Sequence, residues 1–151
     1  MGGVIEKIFI TGEGGAKMQP VEQVEAVAGK GLRGDRYAEK NGYWTHVDEC
    51  EVTLIEAEDL EEINSAGLRV SDGEHRRNIV TRGIQLEGLH GQRFQIGEAI
   101  FEFDRPRPPC TYIQGLTGQQ GLTRALGRRG GICARVVQGG AIKVSDIIKV
   151  L

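Results

Sequence analysis

The chain has 151 residues, 23 of them glycine, with 39% hydrophobic and 26% charged residues and a formal net charge of −2. That length suits one domain over residues 1–151, able to bury roughly 70% of its unfolded surface without disulfides, and the charge balance excludes the basic character of a nucleic-acid binder. No apolar run approaches the ~18 residues of a membrane-spanning helix, and no basic leader with an apolar core opens the chain, so a cytosolic protein off the membrane is expected.

The elements follow from hydrophobic patterning. Val4–Ile10 is β-branched and apolar, a first strand. A glycine-rich turn leads to a second strand over residues 21–28. Residues 29–42 have charges and glycines without periodicity and read as a loop. Thr53 and Glu56 have the spacing of a capping box for a helix that runs to about Ser65, with Gly67 suited to its C-terminal end. Residues 78–81 read as a short strand, and residues 94–103 as a hairpin that turns at Gly97-Glu98. Three prolines interrupt regular structure over residues 105–109. A short helix is expected over residues 119–126, then strands over 132–137, 141–144 and 147–151. The fold class is therefore mainly β with one or two short helices (α+β). A closed or partly closed β-barrel is the simplest architecture, because closure removes exposed strand edges.

Three segments carry candidate chemistry. Cys110 follows Arg105-Pro106-Arg107-Pro108-Pro109, where the prolines stiffen the backbone and nearby arginines favour the thiolate, the form that attacks electrophiles and binds soft metals. The plainer alternative is a small buried residue at a strand end. In Glu74-His75-Arg76-Arg77-Asn78, an extended backbone would send Arg76 and Arg77 to opposite sides, so one of them would face a pocket with its planar fork suited to phosphate, and Asn78 could add amide hydrogen bonds. In Gly31-Leu32-Arg33-Gly34-Asp35-Arg36, glycines allow close backbone approach to an anion that Arg33 or Arg36 would neutralise, although Asp35-Arg36 could equally be a structural ion pair. Arg128 belongs to a further basic pair. Such grouped arginines in a slightly acidic chain suit a small anionic ligand.

The other side chains read as bland. Cys133 lies in an apolar strand and is expected in the core. Cys50 sits among carboxylates that would raise its pKa. An odd number of cysteines, three, without a Cys-x-x-Cys pair argues against a disulfide framework or a zinc ribbon. His46, His75 and His90 are isolated and read as non-catalytic.

Taken in order, these segments resemble the MOSC family, the domain named after the C-terminal part of molybdenum-cofactor sulfurases. The resemblance rests on the Gly31-Leu32-Arg33-Gly34-Asp35-Arg36 loop, on Arg76-Arg77-Asn78-Ile79, on Phe94-Gln95-Ile96-Gly97-Glu98-Ala99, on Pro109-Cys110 and on Arg135-Val136-Val137-Gln138-Gly139-Gly140. It spans residues 21–151, and its specificity lies in the ordered set. It implies a β-barrel that binds the molybdenum cofactor (Mo-molybdopterin), with Cys110 as persulfide carrier or molybdenum ligand. Arg33, Asp35, Arg36, Arg76, Arg77, Asn78, Arg107 and Arg128 are the residues expected to hold the cofactor, and Arg77→Ala and Arg33→Ala are each expected to weaken its retention. The alternatives are a molybdoenzyme reducing N-hydroxylated compounds with an external electron donor, and a non-catalytic anion-binding module. A redox or sulfur-donor protein would be the partner, since no iron–sulfur motif is present; oligomeric state is left open. Two departures stand out: Tyr37 follows Gly-Asp-Arg where histidine is frequent, and Ser145-Asp146 stands where Gly-Asp is usual.

Overall fold

The computed structural model describes residues 2–40, 50–109 and 111–151, with Thr111 and Arg128 followed in their backbone alone. His46 and Cys110 therefore lie outside the described residues. Eleven strands are described: β1 (Val4–Ile10), β2 (Gln19–Val21), β3 (Gln23–Val27), β4 (Gly31–Leu32), β5 (Val52–Glu56), β6 (Ile79–Arg82), β7 (Arg93–Ile96), β8 (Ala99–Pro106), β9 (Ile132–Gln138), β10 (Gly140–Lys143) and β11 (Ile148–Val150). Eight of them form one sheet in the order β11-β7-β8-β9-β5-β6-β1-β2, and β10-β3-β4 form a second. Within the large sheet only β5 and β6 run parallel.

The large sheet curls until its ends approach. The Ile5 amide donates to the Asp146 carbonyl at 2.9 Å, the Ser145 amide to Ile5 at 2.9 Å and the Ile148 amide to Gly3 at 2.8 Å. These bonds bring the segment before edge strand β11 against β1 and give the partly closed barrel expected from strand content. The small sheet is tied on by bonds from the Gly29 amide to Val136 (3.0 Å) and from the Glu98 amide to Ala141 (3.1 Å).

Inward side chains fill the barrel with Ile5, Ile8, Leu54, Ile79, Phe94, Phe101, Ile132 and Val136 among others. A second core forms on the outer face of β1, β5 and β6, from Phe9, Ile55 and Val80 packed against Leu60, Ile63, Ile113, Leu122 and Leu126. Strands covered on both faces lose the simple alternation of a half-buried strand; β5 reads Val52-Thr53-Leu54-Ile55, all buried.

Four α-helices are described where one or two were expected: α1 (Arg36–Glu39), α2 (Ala57–Ser65), α3 (Thr111–Thr117) and α4 (Leu122–Leu126). α1 and α3 escape detection because one turn, or two, carries no readable period. The capping box is also corrected. Residues 52–56 form β5, and the Thr53 hydroxyl donates to Asn78 Oδ1 at 3.2 Å; α2 begins after Glu56 without a side-chain cap. Gly67 takes the positive φ of 98° expected just beyond that helix. No described helix is long and apolar enough to cross a membrane.

Candidate functional site

Several of the residues singled out in the sequence meet around the Asp35-Arg36 and Arg76-Arg77-Asn78 segments. Gly34 takes a φ of 86°, which turns the chain so that Asp35 caps α1 and Arg36 points inward. Asp35 is fully buried and accepts from the Tyr37 amide (3.3 Å), the Thr11 amide (3.1 Å) and Arg36 Nη1 (3.1 Å). Arg36 Nη2 donates to the Arg76 carbonyl at 3.0 Å and to the Tyr37 hydroxyl at 3.3 Å, and its guanidinium stacks 4.3 Å from the Tyr37 ring centre. Asp35-Arg36 is thus the structural ion pair left open by the sequence, and Tyr37 occupies its position by stacking on that pair. Arg33 stands apart: it is exposed and paired with Glu25 at 2.6 Å.

The Arg76-Arg77 pair does not follow the extended-strand geometry. Arg76 has a φ of 62°, so both side chains turn into the protein, and both are buried. Arg77 reads as a brace: its Nε donates to the Gly130 carbonyl (2.6 Å) and its Nη2 to those of Arg107 (3.1 Å) and Pro108 (3.4 Å). It fixes the segment that precedes Cys110. The Arg107 amide adds a bond to Gly131 (2.8 Å), and the Arg107 side chain is buried. Asn78 stitches three strands, accepting from the Thr53 amide (3.0 Å) and hydroxyl and donating from Nδ2 to the Phe9 carbonyl (3.1 Å).

Arg76 is different. Its Nη1 donates to the Ala16 carbonyl at 2.7 Å, but its Nη2 is buried and has no hydrogen-bond partner. Burial first, and then the charge of Arg36, holds its pKa below the usual arginine value, while Tyr112 of α3 and Tyr37 oppose that shift. An uncompensated buried guanidinium donor costs several kcal/mol unless something anionic reaches it. Around it stand the Arg36 guanidinium, the phenols of Tyr112 and Tyr37 and the Asp35 carboxylate, a set that suits an anionic ligand. Arg128 is followed in its backbone alone, and Cys110 is not described, so neither is placed against this cluster.

Cys133 lies in the core, as its apolar strand led one to expect. Cys50 and Cys133 are buried and unbridged, and the Cys50 thiol donates to the Val52 carbonyl at 3.4 Å. The register of β5 against β9 sets Thr53 opposite Cys133. His75 is buried, as expected of a structural histidine.

Comparison with solved structures supports the fold. The YuaD protein from Bacillus subtilis superposes with a TM-score of 0.82 at 19% identity, covering 99% of this chain and 96% of that one. YiiM from Geobacillus stearothermophilus gives 0.76 at 17% identity, covering 99% and 75%. YiiM from Escherichia coli gives 0.72 at 16% identity, covering 100% and 70%. No curated protein sequence matches the chain. The MOSC domain profile matches residues 41–149, more than two thirds of the sequence, and this chain, with its curled, mainly β sheet, belongs to the MOSC domain family.

Proposed function

We propose that this protein binds the molybdenum cofactor and handles sulfur, with Arg76 and Arg36 at the cofactor's phosphate and Cys110 as persulfide carrier or molybdenum ligand. The observation that carries the reading is the buried, unpartnered Nη2 of Arg76 beside a second guanidinium. A phosphate dianion would accept from that nitrogen and balance the charge that Asp35 alone does not. Arg36 would act mainly by holding the Arg76 carbonyl and so the direction of its side chain. Arg77 and Asn78 would serve as the frame: Arg77 clamps the carbonyls of Arg107 and Pro108, just before the cysteine, and Asn78 locks the three strands beneath. Arg107 and Arg128 would add positive charge, which favours the thiolate form of Cys110. Arg33, exposed and paired with Glu25, would contribute least. When bound, the molybdenum centre supplies two-electron oxygen- or sulfur-atom chemistry; the chain supplies the anion site, the thiolate and a shielded apolar face.

The test is metal and pterin content after expression in a cofactor-competent host, with three proteins side by side. Wild type should carry molybdenum and pterin. Arg76→Asn removes the guanidinium while keeping a residue that tolerates positive φ, and should weaken pterin retention roughly 10- to 100-fold, the value of a charged hydrogen bond. Cys110→Ala should keep pterin and lose metal or sulfane sulfur. Wild type without metal, pterin or persulfide, or Arg76→Asn retaining cofactor like wild type, would overturn the assignment.

A further inference from the structure

A cavity of about 260 Å³ lies between β1, β6 and the helix α2, and none of its lining residues is among those assigned to the cofactor. Its wall is largely apolar, with Phe9, Ala57, Leu60, Val70 and Val80. At about 30 Å³ for each small group, the liquid volume of a water, the space suits roughly nine non-hydrogen atoms. His75 forms part of the same wall and is fully buried. Its Nδ1 accepts the Arg77 amide at 2.9 Å, so the neutral ring carries its proton on the distal Nε2, and that donor has no hydrogen-bond partner. A buried donor is costly to leave unpaired, and such groups in folded proteins are paired with few exceptions.

Most polar groups at the rim are spent on one another. Arg82 is held by Glu6 (2.7 Å) and Glu61 (2.7 Å), and Asn64 Nδ2 donates to the Ser71 hydroxyl at 2.8 Å. Lys7 differs. Its Nζ donates to the Ser71 carbonyl at 3.1 Å and has no carboxylate partner among the described residues. An ammonium has three hydrogens to give, so donors remain for a ligand. The cavity thus offers one neutral, buried donor, one exposed cationic donor and an apolar wall beside them.

We propose that this cavity is a second ligand site, separate from the cofactor cluster, and that it takes a small monocarboxylate with a short apolar body. One carboxylate oxygen accepts from His75 Nε2–H. Lys7, on its flexible stem, neutralises the charge, and the apolar body lies against Phe9, Leu60 and Val70. The volume excludes nucleotides and other ligands with large head groups. The site uses neither Cys110 nor Arg76, so it stands or falls apart from the proposed function.

The experiment titrates isotope-labelled wild-type protein with benzoate and follows ring and backbone resonances by NMR. Benzoate should bind saturably at millimolar concentration or below. The His75 Nε2–H proton should move downfield, and the amides of Leu60, Val70 and Ser71 should follow the same curve. Benzamide, of the same shape but neutral, should bind about fivefold more weakly or worse, and Lys7→Gln should weaken benzoate about fivefold while leaving benzamide unchanged. Inorganic phosphate, the probe for the Arg76 cluster, should leave the benzoate curve where it is, which keeps the two sites distinguishable. No saturable shift at His75, benzamide binding as tightly as benzoate, Lys7→Gln binding benzoate like wild type, or shifts centred on Ala16 and Tyr112 that phosphate reverses would each overturn the proposal.

Discussion

Replacing His75 by asparagine should flatten the acid limb of the protein's stability curve. His75 is fully buried beside Phe9, edge to face at 5.5 Å, and its Nδ1 accepts the Arg77 amide at 2.9 Å. That bond puts the single proton of the neutral ring on Nε2, which has no partner. Burial, and after it the charges of Arg77, Lys7 and Arg76, lowers the pKa from 6.5 to about 3. The unfolded chain therefore takes up a proton before the folded one does. The stability due to the neutral ring is complete above about pH 6.5 and is lost as pH falls towards 3. At pH 5 the loss is about 1.5 units times 1.36 kcal/mol, or roughly 2 kcal/mol, with a slope approaching about 1.4 kcal/mol per pH unit. Asparagine can accept the Arg77 amide through its side-chain oxygen and does not titrate. It should lower stability at pH 8 by about 1–2 kcal/mol through lost ring packing, yet the gap to wild type should close by about 2 kcal/mol at pH 5. Urea unfolding at both pH values measures the gap. A gap that stays constant between pH 8 and pH 5 would refute the assignment of this limb to His75.

Other consequences follow from single contacts. Asn78→Ala removes a side chain that joins β1, β5 and β6 and leaves the Thr53 amide and Phe9 carbonyl without it, so unfolding free energy should fall by about 2–4 kcal/mol; a loss under about 1 kcal/mol by denaturant titration would contradict that role. Ser145 has a φ of 82°, the left-handed region, at the position where the family resemblance led glycine to be expected. Ser145→Gly should raise stability by about 0.5–1 kcal/mol, read as a shift in urea midpoint. Gly131→Ala would force a left-handed alanine (φ 88°) whose Cβ overlaps the Leu54 carbonyl, and thermal unfolding should register a loss of about 3 kcal/mol or more.

The sequence alone determined the strands with a simple pattern. β1 was legible in full because Val4–Ile10 is β-branched with turn residues after it, and the hairpin of β7 and β8 because Gly97 interrupts two alternating runs. The Asp35-Arg36 and Arg76-Arg77-Asn78 segments were marked as important by composition and by family resemblance. Their separate jobs were not. An arginine that braces two carbonyls and an arginine with an unpartnered nitrogen are the same letter in adjacent positions, and only the φ of 62° at Arg76 and the approach of Gly130 and Ala16 assign them. The strand at β5 was mistaken for a helix start because Thr53 and Glu56 satisfied a local rule, while the deciding partner, Asn78, lies 25 residues away. Local propensity and patterning act over a few residues and are written in the chain. Hydrogen-bond partners and buried charge depend on which distant segments the curled sheet brings within a few ångströms, and that is decided by tertiary structure.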